Sequence, residues 1–454
     1  MTILIDLKEL IGKERVTKNE TIISGHSHDE SYHEPNEPEV VVFPTSTSEV
    51  ANIMKYAHEH KVPVTPYGLG TSLEGHAIPV NGGITMDLSQ MNNILEIREG
   101  DFLVTVEPGV TRSQLNKELK KHGLFFSVDP GADATLGGMA ATNASGTTSV
   151  RYGIMRDQVR DMEVVLADGT IIHTGSLAAK SSSGYHLNGL FVGSEGTLGI
   201  ITKLTLRLFG IPEAIMSARA TFPTIHKAVN AVTSILSAGI PIARVELVDE
   251  RSVQEVNKYF QLTYEESPTL FLEFHGNEPG LKQDVEFTQE IVTEHSCSQF
   301  LFESGSKERQ QLWDVRHNLA YAFIHGAPGR KLMVTDVCVP MSELADAIMD
   351  GKAALEHSQI DGTIVGHVGD GNYHILMMLD LNNEEEIQKA NKVNERIVKF
   401  ALERGGTCTG EHGVGFGKGK FQKLEHGQAF DVMKQIKVAL DPLGILNPGK
   451  IFTL

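Results

Sequence analysis

The chain has 454 residues, with 40 basic and 58 acidic side chains and a formal charge of −18. A hydrophobic fraction of 41% and a charged fraction of 22% describe a globular chain, long enough for two or three domains at roughly 150 residues each. The acidic balance and the absence of Lys/Arg blocks argue against nucleic acid and a polybasic membrane patch, and no apolar run of about 18 residues could span a bilayer.

Residues 1–38 read as an N-terminal segment, a short amphipathic helix followed by a polar, His-containing loop. Acidic residues in its first turns and the lack of an apolar h-region argue against a signal peptide. EVVVFP (39–44) is a strand. TSTSEVANIMKYAHEHK (45–61) is a helix, with Thr47 or Ser48 as N-cap and Val50, Ile53, Met54 and Ala57 at helical spacing. VPVTPYG (62–68) is a second strand, which makes a β-α-β unit. Strands follow at GITMDL (83–88) and FLVTVEPG (102–109), then a helix at TRSQLNKELKKHG closed by Gly123.

Residues 127–155 form a small-residue tract that is not expected to pack as a core helix. VRDMEVVLADGTIIHTG (159–175) reads as a hairpin, with a type I′ turn at Asp168-Gly169. GTLGIITKLTLRLFG (196–210) contains another strand. Beyond Pro212 glycines thin out and helices alternate with strands. Residues 382–406 are a helix with Ile387, Ala390, Val393, Ile397 and Phe400 on one face, stopped by Gly405. The last fifty residues are Gly-rich again. The expected division is 1–38, 39–212, 213–405 and 406–454, one domain interrupted by another.

Chemistry-bearing residues cluster in the Gly-rich parts. TPYGLGTSLEGH (65–76) follows a strand and carries Gly68-x-Gly70. It reads either as a phosphate-cradling loop or as a tight strand-exit turn. A third glycine would fall at Leu73, so the Rossmann fingerprint fails. Pro130 to Gly153 reads as backbone following an extended polar ligand, or as a linker. Gly444 to Lys450 matches GxxxxGK, but Ile451 replaces the required Ser/Thr and no helix can follow.

In TIVGHVGDGNYHILMML (363–379) a two-residue turn on Asp370-Gly371 would set His367 opposite His374, with Cβ atoms about 4.5–5.5 Å apart. Two imidazoles so placed could share one ion. The segment also reads as a polar hairpin with two incidental histidines. Glu411 and His412 are adjacent in GGTCTGEHGVGFGKGKF (405–421), so one could ligate while the other acts as a base. Arg316 and Lys331 are the other cations of interest. Cys297, Cys338 and Cys408 stand far apart without a CxxC, which fits a reducing cytoplasm; the expected location is cytoplasmic, at most peripheral to a membrane.

VVVFPTSTSEV, PYGLGTSLEGH, DPGADATLGGMAATNASGTTSVRYG, GSEGTLGIIT, GHVGDGNYH, GGTCTGEHGVG and PLGILNPGKIF occur in that order. Together they resemble the FAD-linked oxidoreductases of the vanillyl-alcohol-oxidase type, in the D-lactate dehydrogenase, glycolate oxidase FAD subunit and D-2-hydroxyglutarate dehydrogenase branch. The resemblance runs from about Glu39 to Phe452. It implies an α+β fold, a two-subdomain PCMH-type FAD-binding domain with an inserted antiparallel-sheet cap domain. It implies noncovalent FAD held by Tyr67, Gly68, Leu69, Gly70, Thr71, Ser72, Leu73, Pro130, Thr135, Gly137, Gly138, Asn143, Ser145, Gly146, Gly196, Ile200 and Asn447. Thr71 stands where covalently linked relatives carry a His.

The resemblance also implies a divalent metal (Zn, Mn or Fe) on His367, His374 and Glu411, with His412 as base and Arg316 and Lys331 gripping the substrate carboxylate. Ala320 and Leu376 are apolar where members taking dicarboxylates are polar, which tilts the expectation to a short D-2-hydroxyacid, D-lactate first. The expected partners are that small molecule and an electron acceptor: an iron–sulfur subunit, a quinone or an electron-transfer flavoprotein. A homodimer is expected. The rivals are the FAD subunit of a glycolate oxidase complex, a D-2-hydroxyglutarate dehydrogenase, a flavin-free metallohydrolase and a non-catalytic FAD module.

Overall fold

The computed structural model describes residues 3–452. The chain divides into two compact units. The first comprises Met1–Ser145, Gly153–Ile211 and Glu411–Leu454; the second comprises Gly146–Tyr152 and Pro212–Gly410. Both mix helices and sheets, as the α+β class requires. Residues 406–410 and the short segment 146–152 go with the second unit.

In the first unit, one sheet has the order Val16–Thr17, Val40–Val42, Ile84–Asp87, Val64–Tyr67. The last three strands are parallel. Ile84–Asp87 lies between the two strands of the expected β-α-β unit, so those strands are parallel but not neighbours. The connecting helix Thr47–His60 buries Val50, Ile53, Met54 and Ala57 as expected. Its N-cap is Ser46, one residue before Thr47: Ser46 has the extended backbone a cap needs, and its side chain accepts from the Glu49 N–H. The other large sheet is antiparallel, in the order Ile94–Arg98, Leu103–Val106, Ile200–Arg207, Val159–Val165, Ile171–His173. The strand Ile94–Arg98 is absent from the sequence reading.

Two further expectations change here. Leu166 N–H bonds to Thr170 O, and only Gly169 of the Asp168-Gly169 pair has positive φ, at 83°. The hairpin therefore closes with a three-residue loop whose last residue is left-handed, not with a type I′ turn. The small-residue tract does contain a core helix, Leu136–Thr142, with Leu136, Gly137, Met139 and Ala140 buried. Thr135 caps its start and Asn143, at φ 53°, closes it. A Cβ on Gly137 would lie 2.5 Å from the Pro108 Cβ, so smallness here permits close packing.

The second unit is built on an eight-stranded antiparallel sheet. Seven strands follow the order Gln299–Glu303, Ala214–Thr221, Thr269–Gly276, Ile242–Val248, Gly362–His367, Asn372–Leu379, Lys331–Val334; Val337–Cys338 also pairs with Asn372–Leu379. Helices Glu250–Phe260, Ser306–His317 and Leu319–Gly326 pack Val253, Leu312, Trp313 and Phe323 against Val248, Phe271, Val365 and Leu376. Helix Glu384–Glu403 is capped by Asn383 and buries Ala390, Val393 and Ile397; Ile387 and Phe400 are only half-buried.

The histidine hairpin differs in register from the expectation. His367 pairs with Asn372, and His374 pairs with Val365. Four residues, 368–371, make the connection. Val368 is fully buried, and Gly371 has φ 89° with its Cβ position 2.1 Å from Val339 O. The turn is thus packed into the unit instead of projecting as a two-residue loop. A slip of two residues keeps both histidines on one face, because side chains alternate with period two.

Candidate active site

In the first unit the glycine loops converge. The 68–73 loop leaves the Val64–Tyr67 strand, and a Cβ on Gly68 would sit 2.5 Å from Thr135 Oγ1. A Cβ on Gly196 would meet Pro66 Cγ at 2.4 Å. Asn447 Nδ2 donates to His76 O at 3.2 Å and to Glu195 O at 2.7 Å. The segments carrying Tyr67 to Leu73, Thr135 to Ser145, Gly196 and Asn447 thus come together. Their donor set is backbone N–H groups on loops with glycine at the close approaches, which suits the pyrophosphate of FAD. Gly138 N–H is bonded by Thr135 Oγ1, and Asn143 Oδ1 accepts from Arg156 N–H. Pro130 is half-buried just before this tract, while Ile200 lies inside the hydrophobic core. Gly146 belongs to the second unit's segment, with its N–H on Ser149 Oγ.

Glu411 and His412 also belong to the first unit. Ser145 Oγ donates to the Glu411 carboxylate at 2.8 Å, and His412 Nε2 stands 3.9 Å from Glu411 Oε1. The backbone just beyond them is held by Glu195, a buried residue at φ 54°. Its carboxylate accepts from Val414 N–H at 2.7 Å and Gly415 N–H at 2.9 Å. His76 lies 3.3 Å from the same carboxylate. Burial alone would lower the His76 pKa, but the Glu195 charge raises it. Neither Glu195 nor His76 was singled out in the sequence. The available signal was an acidic residue inside a glycine turn.

The N-terminal loop does more than its composition suggested. His26 holds Ile22 O at 2.7 Å and Asp87 at 2.9 Å, and its ring lies 4.5 Å from that of Tyr67. Glu30 N–H donates to Gly70 O and Ser72 O, both at 3.1 Å. The segment therefore braces the first glycine loop.

The second unit presents a polar stripe on one face of its sheet. Leu247 pairs with Gly366 and Val248 with Val365, so one step along the ladder Glu246 stands opposite His367. His367 and His374 meet edge to face, with centroids 5.4 Å apart and an interplanar angle of 81°. Each engages Nδ1: His367 with Glu246 Oε1 at 2.7 Å, His374 with Thr335 O at 3.0 Å. Imidazoles that give Nδ1–H to an acceptor direct Nε2 to a metal, so this donor pair fits a divalent ion.

Arg316 comes to the same face from helix Ser306–His317. Its Nε and Nη2 donate to Glu246 Oε2 at 3.1 and 2.6 Å. Burial would raise the Glu246 pKa, yet His367 and Arg316 hold it below its usual value. Buried Asp336 accepts from Asn372 Nδ2, Thr409 Oγ1 and Gly410 N–H.

Lys331 departs from its expected role. It pairs with Leu379, whereas Val334 pairs with Leu376. Alternation turns Lys331 to the sheet face opposite His374 and Leu376, and it is exposed. The structure brings Arg316, His367 and His374 together and leaves Lys331 out. Glu246 escaped the sequence reading because Arg244 and Glu246 alternate with Val245 and Leu247, a pattern that reads as a solvated strand face.

Two family descriptions match the chain: "FAD binding domain" over residues 38–175 and "FAD linked oxidases, C-terminal domain" over residues 211–451. The chain is 46% identical to the probable mitochondrial D-lactate dehydrogenase of Danio rerio, over 100% of this chain and 92% of that one. It is 34% identical to the glycolate oxidase subunit GlcD of Bacillus subtilis, over 94% of this chain and 92% of that one. The solved structure of 4-ethylphenol oxidase from Gulosibacter chungangensis matches at a TM-score of 0.81 and 20% identity, over 99% of this chain and 96% of that one, a likeness of fold.

Proposed function

The chain belongs to the FAD-linked oxidase family, and from that premise we propose that it oxidises a short D-2-hydroxyacid, D-lactate foremost, to the 2-oxoacid. The observation that carries this reading is the shared sheet face of Arg316, His367 and His374, a carboxylate-binding cation beside two metal-competent imidazoles. Bound FAD supplies the two-electron acceptor. A divalent metal on His367, His374 and Glu411 would supply Lewis acidity towards the substrate hydroxyl.

The protein's own part is binding and proton transfer. Arg316 pairs with the substrate carboxylate through the guanidinium edge that Glu246 leaves open. His412 takes the hydroxyl proton, on a backbone fixed by Glu195. Ala320, Val334 and Leu376 belong to one apolar cluster with helix Ser306–His317, and apolar side chains at these positions support a monocarboxylate. The relative named GlcD favours one alternative, an FAD subunit working on glycolate within a complex.

Anaerobic mixing with D- and L-2-hydroxyacids tests the proposal. Short D-enantiomers should bleach the flavin, D-lactate fastest, and prior chelation should abolish bleaching. His412→Ala should slow bleaching by about 10²–10⁴-fold. Bleaching by L-enantiomers alone, preference for dicarboxylates, or indifference to chelator would each overturn the corresponding part. Glycolate preferred over D-lactate would favour the GlcD-like alternative.

A further inference from the structure

We propose that Glu246 is a positioning residue, one carboxylate that fixes both the tautomer of His367 and the plane of the Arg316 guanidinium. The inference rests on the metal and substrate roles read above for those two groups. Glu246 is fully buried, on the strand next to that of His367. Its two oxygens divide the work. Oε1 accepts from His367 Nδ1–H at 2.7 Å; Oε2 accepts from Arg316 Nε–H and Nη2–H at 3.1 and 2.6 Å.

Every group facing this carboxylate is a donor. His367 is therefore held with its proton on Nδ1 and its lone pair on Nε2, the form able to ligate. Arg316 is held by two nitrogens of one edge, so its plane is set before substrate arrives. An amide cannot replace the carboxylate. Whichever way a glutamine turned, its NH2 would face either the imidazole N–H or the guanidinium, donor against donor.

Glu273 provides the control. It lies on the neighbouring strand of the same sheet, is also buried, and holds His275 Nε2 at 2.8 Å and Ser217 Oγ at 3.2 Å. It repeats the carboxylate–imidazole pair away from His367.

The test uses the full-length flavoprotein, stripped of metal and titrated to equilibrium with Zn²⁺ or Mn²⁺. Glu246→Gln should bind the ion about 10–100-fold more weakly, while Glu273→Gln binds as the unaltered protein does. Thermal midpoints establish that both variants are folded. Side-chain histidine NMR of the unaltered, metal-free protein, assigned with His367→Gln, gives a second readout that does not depend on metal uptake. It should show the Nδ1–H tautomer for His367. Wild-type metal affinity in folded Glu246→Gln, an equal loss in Glu273→Gln, or an Nε2–H tautomer would overturn the proposal. No metal uptake by the unaltered protein, together with an Nδ1–H tautomer that disappears in Glu246→Gln, would sink the metal reading while supporting the role of Glu246.

Discussion

His26 binds the Ile22 carbonyl with one ring nitrogen and Asp87 with the other, and packs its face on Tyr67. Burial would lower its pKa, but the Asp87 hydrogen bond, the Ile22 carbonyl and the Asp87 charge together raise it. The charged form thus stabilises the fold. That contribution is fully present below the unfolded histidine pKa of about 6.5 and fades as pH rises through the higher folded value. His26→Gln should therefore lower the thermal midpoint most at acidic pH, by an amount reflecting a charged hydrogen bond of about 1.5–3 kcal/mol. Midpoints of both proteins measured from pH 5 to pH 9 should converge on the alkaline side; a constant gap would refute the charged pair. Residue-scale roles of this kind were the least legible in the sequence. His367, His374 and His412 stand in motifs, whereas Asp87 lies 61 residues from His26 and no spacing rule links them.

At the scale of elements, amphipathic helices were legible and turns were not. Thr47–His60 and Glu384–Glu403 announce themselves by apolar spacing and acidic first turns. The helix Leu136–Thr142 does not, because its core contact rests on glycine against Pro108, which no periodicity scores. The hairpin that bears the histidines shows the same limit. Its faces followed from the period-two pattern, but its register depended on the burial of Val368 and on the fit of Gly371 against Val339. Gly371→Ala should be costly on both counts, with about 1–3 kcal/mol from left-handed backbone alone and a further clash with a carbonyl. Gly239, at φ 75° with nothing within 4 Å of its Cβ position, separates the two effects. The thermal midpoint should fall further in Gly371→Ala than in Gly239→Ala, and metal uptake should fail only in the former. Equal midpoints would mean that the turn yields.

For the whole molecule, chain order and spatial order part company. The first unit assembles from three stretches of chain. The assignment of segment 146–152 to the second unit was not legible. Its anchors are Arg151 on the Pro241 and His275 carbonyls and Tyr152 on His275 Nδ1, partners 90 to 124 residues away. The C-terminal tail spans further still. Asn447 N–H donates to Val64 O and Ile445 O accepts from Val64 N–H, both at 2.8 Å. The Asn447 side chain reaches the carbonyls of His76 and Glu195, and buried Lys450 donates to Ile78 O. Ile445 and Leu446 fill the same core as Val64 and Ile84. The two loops proposed to hold FAD are thus tied by the segment 445–450. A chain ending after Asp441 would leave those carbonyls without their partners, at about 1–3 kcal/mol for each one that stays buried, and would open the core beneath the first glycine loop. Such a chain should lose FAD on gel filtration under conditions in which the intact protein keeps it, as read from the absorbance ratio of flavin to protein. Stoichiometric FAD in the shortened chain would mean that the glycine loops hold the cofactor without the strap that joins them.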